Sequence, residues 1–242
     1  MEILEKSLIK TSTILGIFLI IAVSIISYSL YQIKAADDSL SVTGSAKQSV
    51  TADMVKWNSS FSRTVLASNL KNGYTQMKSD ETAVSNFLKS NGITDEEMII
   101  SSVSMQKQYN YDKTNAPEEY TLSQNVMIQS TDIEKIKNLS KNIQSIIDQG
   151  VLFSAYSPEY YYTKLPEVRV SLLPEAMKDA QTRAESIAQS TGKKVGNLKS
   201  ASMGVVQVMQ PNSVDISDYG NYDTSTIEKE IMITVKASFS LR

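Results

Sequence analysis

The chain has neither cysteine nor histidine anywhere in its 242 residues. Cysteine-based zinc sites, cysteine nucleophiles, Ser-His-Asp triads, histidine-ligated haem and disulfides are therefore excluded. Lack of cysteine assigns no redox compartment, since it suits an oxidising space as well as a reducing one. Any catalysis would fall to Asp, Glu, Lys, Tyr or Ser. No basic run interleaves with aromatic residues, so no nucleic-acid partner is expected. No phosphate-cradling loop is present either: "GSAK" at 44–47 lacks both the glycine count and the Lys-Ser/Thr pair. Its Gly44 reads as a bulge or kink in an edge strand. No long low-complexity tract interrupts the chain.

What is there is an ordinary globular balance, 41% hydrophobic and 21% charged with a net charge of −2. The exception is "TSTILGIFLIIAVSIISYSLYQI", residues 11–33, without a single charge. At helical rise it spans ~35 Å, enough to cross a hydrocarbon core of ~30 Å. It is longer than the apolar region of a cleaved signal, ~7–15 residues. The expectation is an uncleaved signal anchor, with residues 1–10 as a cytoplasmic tail, 11–33 as a transmembrane helix, 34–39 as a linker and 40–242 as one domain. Lys6 and Lys10 precede the span, while Asp37 and Asp38 follow Lys34. The positive-inside rule then places the domain outside the cytoplasm, with Tyr28 and Tyr31 near the outer interface.

Beyond the linker, periodicity alternates between two and helical spacing. Residues 39–66 read as two strands with a turn near Thr51-Ala52-Asp53. The second puts Val55, Trp57, Ser59, Phe61, Arg63 and Val65 on one face, with Trp57 as core. Leu70, Tyr74, Met77, Val84, Phe87 and Leu88 then fall at helical spacing up to Gly92. Two strands flank the polar turn "DKTNAPE" at 112–118. A second helix opens at a Thr131–Glu134 capping box and ends at Gly150. A short strand at 152–163 leads into a third helix, with Pro166 and Pro174 near its start and Gly192 at its end. Alanines 176, 180, 184 and 188 on that helix form a face for close packing. In the last strand, Ile227, Ile231, Ile233, Val235, Ala237, Phe239 and Leu241 alternate, with only Lys229 breaking the face. The order ββ-α-ββ-α-β-α-ββ predicts an α+β domain, mainly antiparallel, with amphipathic helices packed on one face.

"LSVTGSAKQSVTADMVKWNSSFS" resembles the opening of SIMPL-domain proteins, formerly a domain of unknown function. These begin with a V-x-G-x-A/G strand and carry an Asp before the second strand. "YYYTKLPEVRVSLLPEAMKDAQTRAESIAQSTGKKVGNLKSASMGVVQV" resembles the family's second half, where an Ala-rich A-x-x-R-A helix leads through "TG" to a strand. "NSVDISDYGNYDTSTIEKEI" is similar to a membrane-anchored bacterial subgroup. The resemblance implies a bacterial envelope protein, a homo-oligomer in some members, with no catalytic residues or cofactor to carry over.

Two clusters stand out as candidate sites. Asp215, Asp218 and Asp223 could supply oxygen ligands to a hard cation, although the spacing is not that of an EF-hand and a solvated loop is the plainer reading. The connection 211–225 is long, and such loops tend to be functional or mobile. Tyr160, Tyr161 and Tyr162 read as packing plus a subunit contact, with Tyr161 turned away from its neighbours. The carboxylates at 95–97, 118–119, 228 and 230 read as solvated. The expected function is an oligomerising interaction module of the envelope without catalysis, and the alternative is a cation- or small-ligand-binding envelope protein using the 211–225 loop.

Overall fold

The computed structural model describes residues 2–35, 38–109 and 117–242, with side chains described for all but residues 2–14 and 32–35. The elements are α1 (Glu2–Ala35), β1 (Ser39–Thr51), β2 (Met54–Leu66), α2 (Leu70–Ser90), β3 (Met98–Ile100), β4 (Ser104–Gln108), β5 (Glu119–Ser130), α3 (Ile133–Leu139) and α4 (Gln144–Ile147). They continue as β6 (Leu152–Ala155), β7 (Glu159–Tyr161), α5 (Leu165–Ser171), α6 (Leu173–Ser190), β8 (Val195–Met203), β9 (Gln207–Met209), β10 (Asn221–Tyr222) and β11 (Glu228–Leu241). The α+β class and its mostly antiparallel pairing are as expected. The single helix-backed sheet is not: the strands form two sheets.

One sheet has the order β1-β11-β9-β10, with β8 also on β11. The other has the order β3-β5-β2-β6, with β4 on β5 and β7 on β2. The adjacent strands β1 and β2 thus belong to different sheets. Alternation states which face of a strand is buried, but it does not state which strand lies beside it. The expected element order also fails in detail, because several elements are broken in two. The stretch 98–109 makes β3 and β4, 152–163 makes β6 and β7, and 198–210 falls to β8 and β9. The second and third helices become α3 with α4 and α5 with α6. The β9–β10 pairing is parallel. The turn at 112–118 lies outside the described residues except for Pro117 and Glu118.

The chain divides into two compact units, Met1–Lys47 with Val170–Val206 and Met232–Arg242, and Gln48–Arg169 with Gln207–Ile231. In the first unit, Val42, Ala180, Ala184, Ala237 and Phe239 make the core. Gly44 is there because the backbone of α6 comes too close for any side chain. A Cβ at this position would stand 2.3 Å from both the Ala176 carbonyl oxygen and the Ala180 nitrogen. The kink expected at Gly44 is instead a close strand–helix approach within an unbroken strand. The alanines at 176, 180, 184 and 188 are all buried, as their spacing predicted.

The second unit packs large side chains instead. Val55, Trp57, Phe61 and Val65 of β2 meet Met77, Val84, Phe87 and Leu88 of α2, with Ile136 of α3 and Ile146 of α4. Arg63 sits at the margin of this layer and forks onto Asp80 of α2, with Nε to Oδ2 at 2.5 Å and Nη2 to Oδ1 at 2.8 Å. That bidentate geometry ties sheet to helix. The start of α3 is capped one residue later than predicted: Asp132 accepts from the Lys135 N–H at 3.0 Å. Gly92, Gly150 and Gly192 all have positive φ at the ends of helical segments, where only glycine adopts the left-handed form without strain.

α1 is one helix from Glu2 to Ala35, so residues 2–10 are helical and continuous with the run that follows. Its described side chains, 15–31, are all exposed. Among the described residues no helix is long and apolar enough to cross a membrane. Of the expected linker, residues 34 and 35 are helical and 36–37 lie outside the described residues. Asp38 accepts from the Leu241 N–H at 3.1 Å and pairs with Lys193.

Candidate functional site

The acidic stretch after β9 sits at one edge of the second unit, held by short-range chemistry. Pro211 and Asn212 make the turn, and Asn212 adopts φ 63°, a conformation Asn tolerates. Buried Gln207 then grips the excursion from both sides: its Nε2 donates to the Ser217 carbonyl at 2.6 Å, and its Oε1 accepts from the Ser217 N–H at 3.4 Å. The chain returns as β10, and the Asp223 N–H donates to the Val208 carbonyl at 2.8 Å. Between these anchors Val214, Asp215, Ile216, Asp218 and Tyr219 are exposed.

The chemistry of this edge centres on Lys229, the residue that seemed to break the apolar face of β11. It is 1% exposed. Its ammonium donates to the carbonyls of Asp223 at 2.6 Å and Thr226 at 2.7 Å, and stands 3.5 Å from Asp223 Oδ2. The Asp223 carboxylate accepts in addition from the Ser225 N–H at 3.0 Å and hydroxyl at 2.6 Å, and from the Thr226 N–H at 3.2 Å and its hydroxyl. Burial works to raise the Asp223 pKa, but the Ser225 and Thr226 hydrogen bonds and the Lys229 charge outweigh it. They hold the carboxyl well below its usual range. Burial likewise lowers the Lys229 pKa, against the opposing pull of Asp223.

The three aspartates are not brought together as a metal cage. Asp215 and Asp223 line one cleft of about 340 Å³ with Gln210, Asn221 and Ser225, and Asp218 is not among its walls. Asp223 is occupied by the chain's own cation. Among the described residues no group of three or more carboxylates could hold a metal ion.

The tyrosines part as alternation requires. Tyr160 is buried in the core, and its N–H donates to the Thr224 carbonyl at 2.7 Å. Tyr161 turns to the other face and packs its ring on Tyr222 at 5.9 Å, with Lys56 Nζ 5.0 Å above it. Its hydroxyl donates to Glu159 at 2.7 Å, a bond that with burial pushes its pKa up to about 12. The Tyr162 N–H donates to the Tyr222 hydroxyl at 2.9 Å. Tyr160 is thus closed off inside the unit, while Tyr161 and Tyr162 brace the acidic excursion.

Sequence reasoning missed Lys229 and Tyr222. The available signal was one lysine on an otherwise apolar face, six residues after an Asp with "TST" between them. Glu97, expected to be solvated, instead accepts from Ser130 Oγ at 2.5 Å and pairs with Lys135 at 3.3 Å.

The alanine-rich α6 leads into β8 in the first unit, and the profile of SIMPL, described as a protein of unknown function (DUF541), matches residues 40–239. The chain belongs to the SIMPL family. No curated protein matches it as a sequence relative. The SIMPL region takes in both compact units, so the family pattern spans the alanine-packed helix and the Lys229 edge alike.

Proposed function

We propose that this SIMPL protein is a single-pass, membrane-anchored module of the cell envelope that faces the extracytoplasmic side and works by self-association without catalysis. The observation that carries the reading is the division of labour at the 211–226 edge. Its buried charges answer one another, Lys229 to Asp223. Its apolar side chains are turned outward: Val214 is 87%, Ile216 65% and Tyr219 97% exposed. Exposed apolar groups on a held loop suit a protein contact better than a reaction.

The anchor is supported by the uncharged run 11–33 and by the continuity of α1. The charges on either side of the run favour an outward domain. The test is sedimentation of the full chain in detergent, with protease accessibility of residues 38–242 in intact cells. An assembly larger than a monomer and an externally cleaved domain are expected. A monomer at high concentration would end the self-association reading, and a domain protected in intact cells but cleaved after lysis would end the address. The rival, a cation site in the 211–225 loop, has in its favour only the cleft shared by Asp215 and Asp223.

A further inference from the structure

β1 ends the strand order of its sheet, and its backbone shows which edge is open. The Leu241 N–H donates to the Asp38 carbonyl at 3.1 Å, so even-numbered residues here turn their backbone groups toward β11. Successive residues of a strand point their backbone groups to opposite sides. Odd-numbered residues therefore point outward, and Ser45 shows it: its N–H donates to Asp179 Oδ2 of α6 at 2.8 Å. Ser41 and Thr43 point the same way. Beside them lies a groove of about 480 Å³ walled by Val42, Thr43, Thr182, Arg183, Ser186 and Ile187. An open strand edge beside a helix is completed by an extended segment, whose main chain pairs with the edge and whose alternate side chains meet the helix.

The exposed segment 213–217 has the matching needs. Its ends are tied, Ser213 N–H to the Gln210 carbonyl at 3.1 Å and Ser217 to Gln207. Between them Val214 and Ile216, two residues apart, share one face of an extended chain. From Pro211 to Glu228 the chain has acidic residues and no Lys or Arg. The groove presents Arg183, whose side chain is 55% exposed and bonded through Nε to Asp179. Opposite charge on the two patches favours encounter and sets direction.

We propose that the 213–217 segment of one copy adds as a short strand to the β1 edge of a second copy. Val214 and Ile216 pack on Ile187, and the acidic residues lie toward Arg183. This names the surfaces of the self-association proposed above and rests on that reading. The two patches are different, so copies join head to tail, and the chain of contacts closes only if the rotation permits.

Three variants of the full chain test it by sedimentation velocity in detergent. Val214→Lys with Ile216→Lys alters only exposed side chains. Thr43→Pro removes one outward N–H at an edge position, where proline is tolerated. Ile187→Lys changes the groove wall, and replaces Thr43→Pro should circular dichroism show that variant unfolded. Each is expected to abolish assembly. A mixture of the loop variant with a groove variant is expected to give a dimer and nothing larger, because one intact contact remains. Variants that assemble like the wild type would overturn these surfaces and leave self-association standing. A mixture that stays monomeric would overturn their pairing. A monomeric wild type would overturn both proposals.

Discussion

The two units of this SIMPL chain solve the same packing problem by opposite means. In the first, α6 meets β1 through alanines and Gly44, and closeness of backbone takes the place of side-chain bulk. In the second, β2 and α2 interlock through Trp57, Phe61, Met77 and Leu88, and polar pins fix the edges: Arg63 on Asp80 and Lys229 on Asp223. Fully burying a large apolar side chain contributes about 1.5–3 kcal/mol, which an alanine cannot approach. The second unit therefore tolerates buried charge that the first could not offset. The first is sensitive to added volume and the second to an unpaired charge.

The largest expected effect breaks the second unit. Lys229→Ala leaves Asp223 without its cation and is expected to cost about 3–5 kcal/mol. Urea unfolding followed by fluorescence of Trp57, the one tryptophan of the chain, reads this unit directly. The double variant Lys229→Met/Asp223→Asn should recover part of the loss, since no unpaired charge remains. A loss below about 0.5 kcal/mol, the scale of a neutral surface change, would show that the pair is not what holds this edge.

Next comes the first unit. Gly44→Ala sets a methyl against backbone atoms that cannot swing aside, and is expected to cost about 1–3 kcal/mol. Far-UV circular dichroism should show a lowered melting temperature. An unchanged melting temperature would mean that α6 can move off β1, and the contrast between the units would weaken.

A smaller effect concerns pH. The Asp223 carboxyl titrates lower in the folded chain than in the unfolded one, whose value is about 3.9. Its stabilisation is therefore complete above that value and is lost as pH falls toward the folded pKa. Wild type should lose melting temperature more steeply than Asp223→Asn between about pH 5 and pH 2. Parallel curves would contradict this assignment.

The smallest effect is expected at the exposed tip. Asp215→Asn with Asp218→Asn should change folding stability by no more than about 0.5 kcal/mol. Millimolar calcium or magnesium should leave the melting temperature of wild type unchanged. A cation-dependent rise that the double variant abolishes would revive the metal reading.

Much of the local structure was readable in advance. The buried stripe of β2, the alternation of β11, the alanine ladder of α6 and the three glycine helix ends all stand where periodicity and backbone sterics put them. The candidate site was half readable. An exposed acidic loop could be named, but not the lysine that neutralises it or the tyrosine that braces it. Lys229 looked like a flaw because the carbonyls of Asp223 and Thr226 converge on it only after the chain has turned back at β10.

By itself, then, the amino-acid order determined which faces are apolar, where helices stop and which chemistries are excluded. Those are properties of single residues and of neighbours three or four apart. Only the tertiary structure decided that β1 and β2 join different sheets, that Gly44 answers α6, that Arg63 meets Asp80 and that Asp223 already has its cation. These facts depend on segments far apart in sequence, and local periodicity does not say which distant partner a buried face will meet.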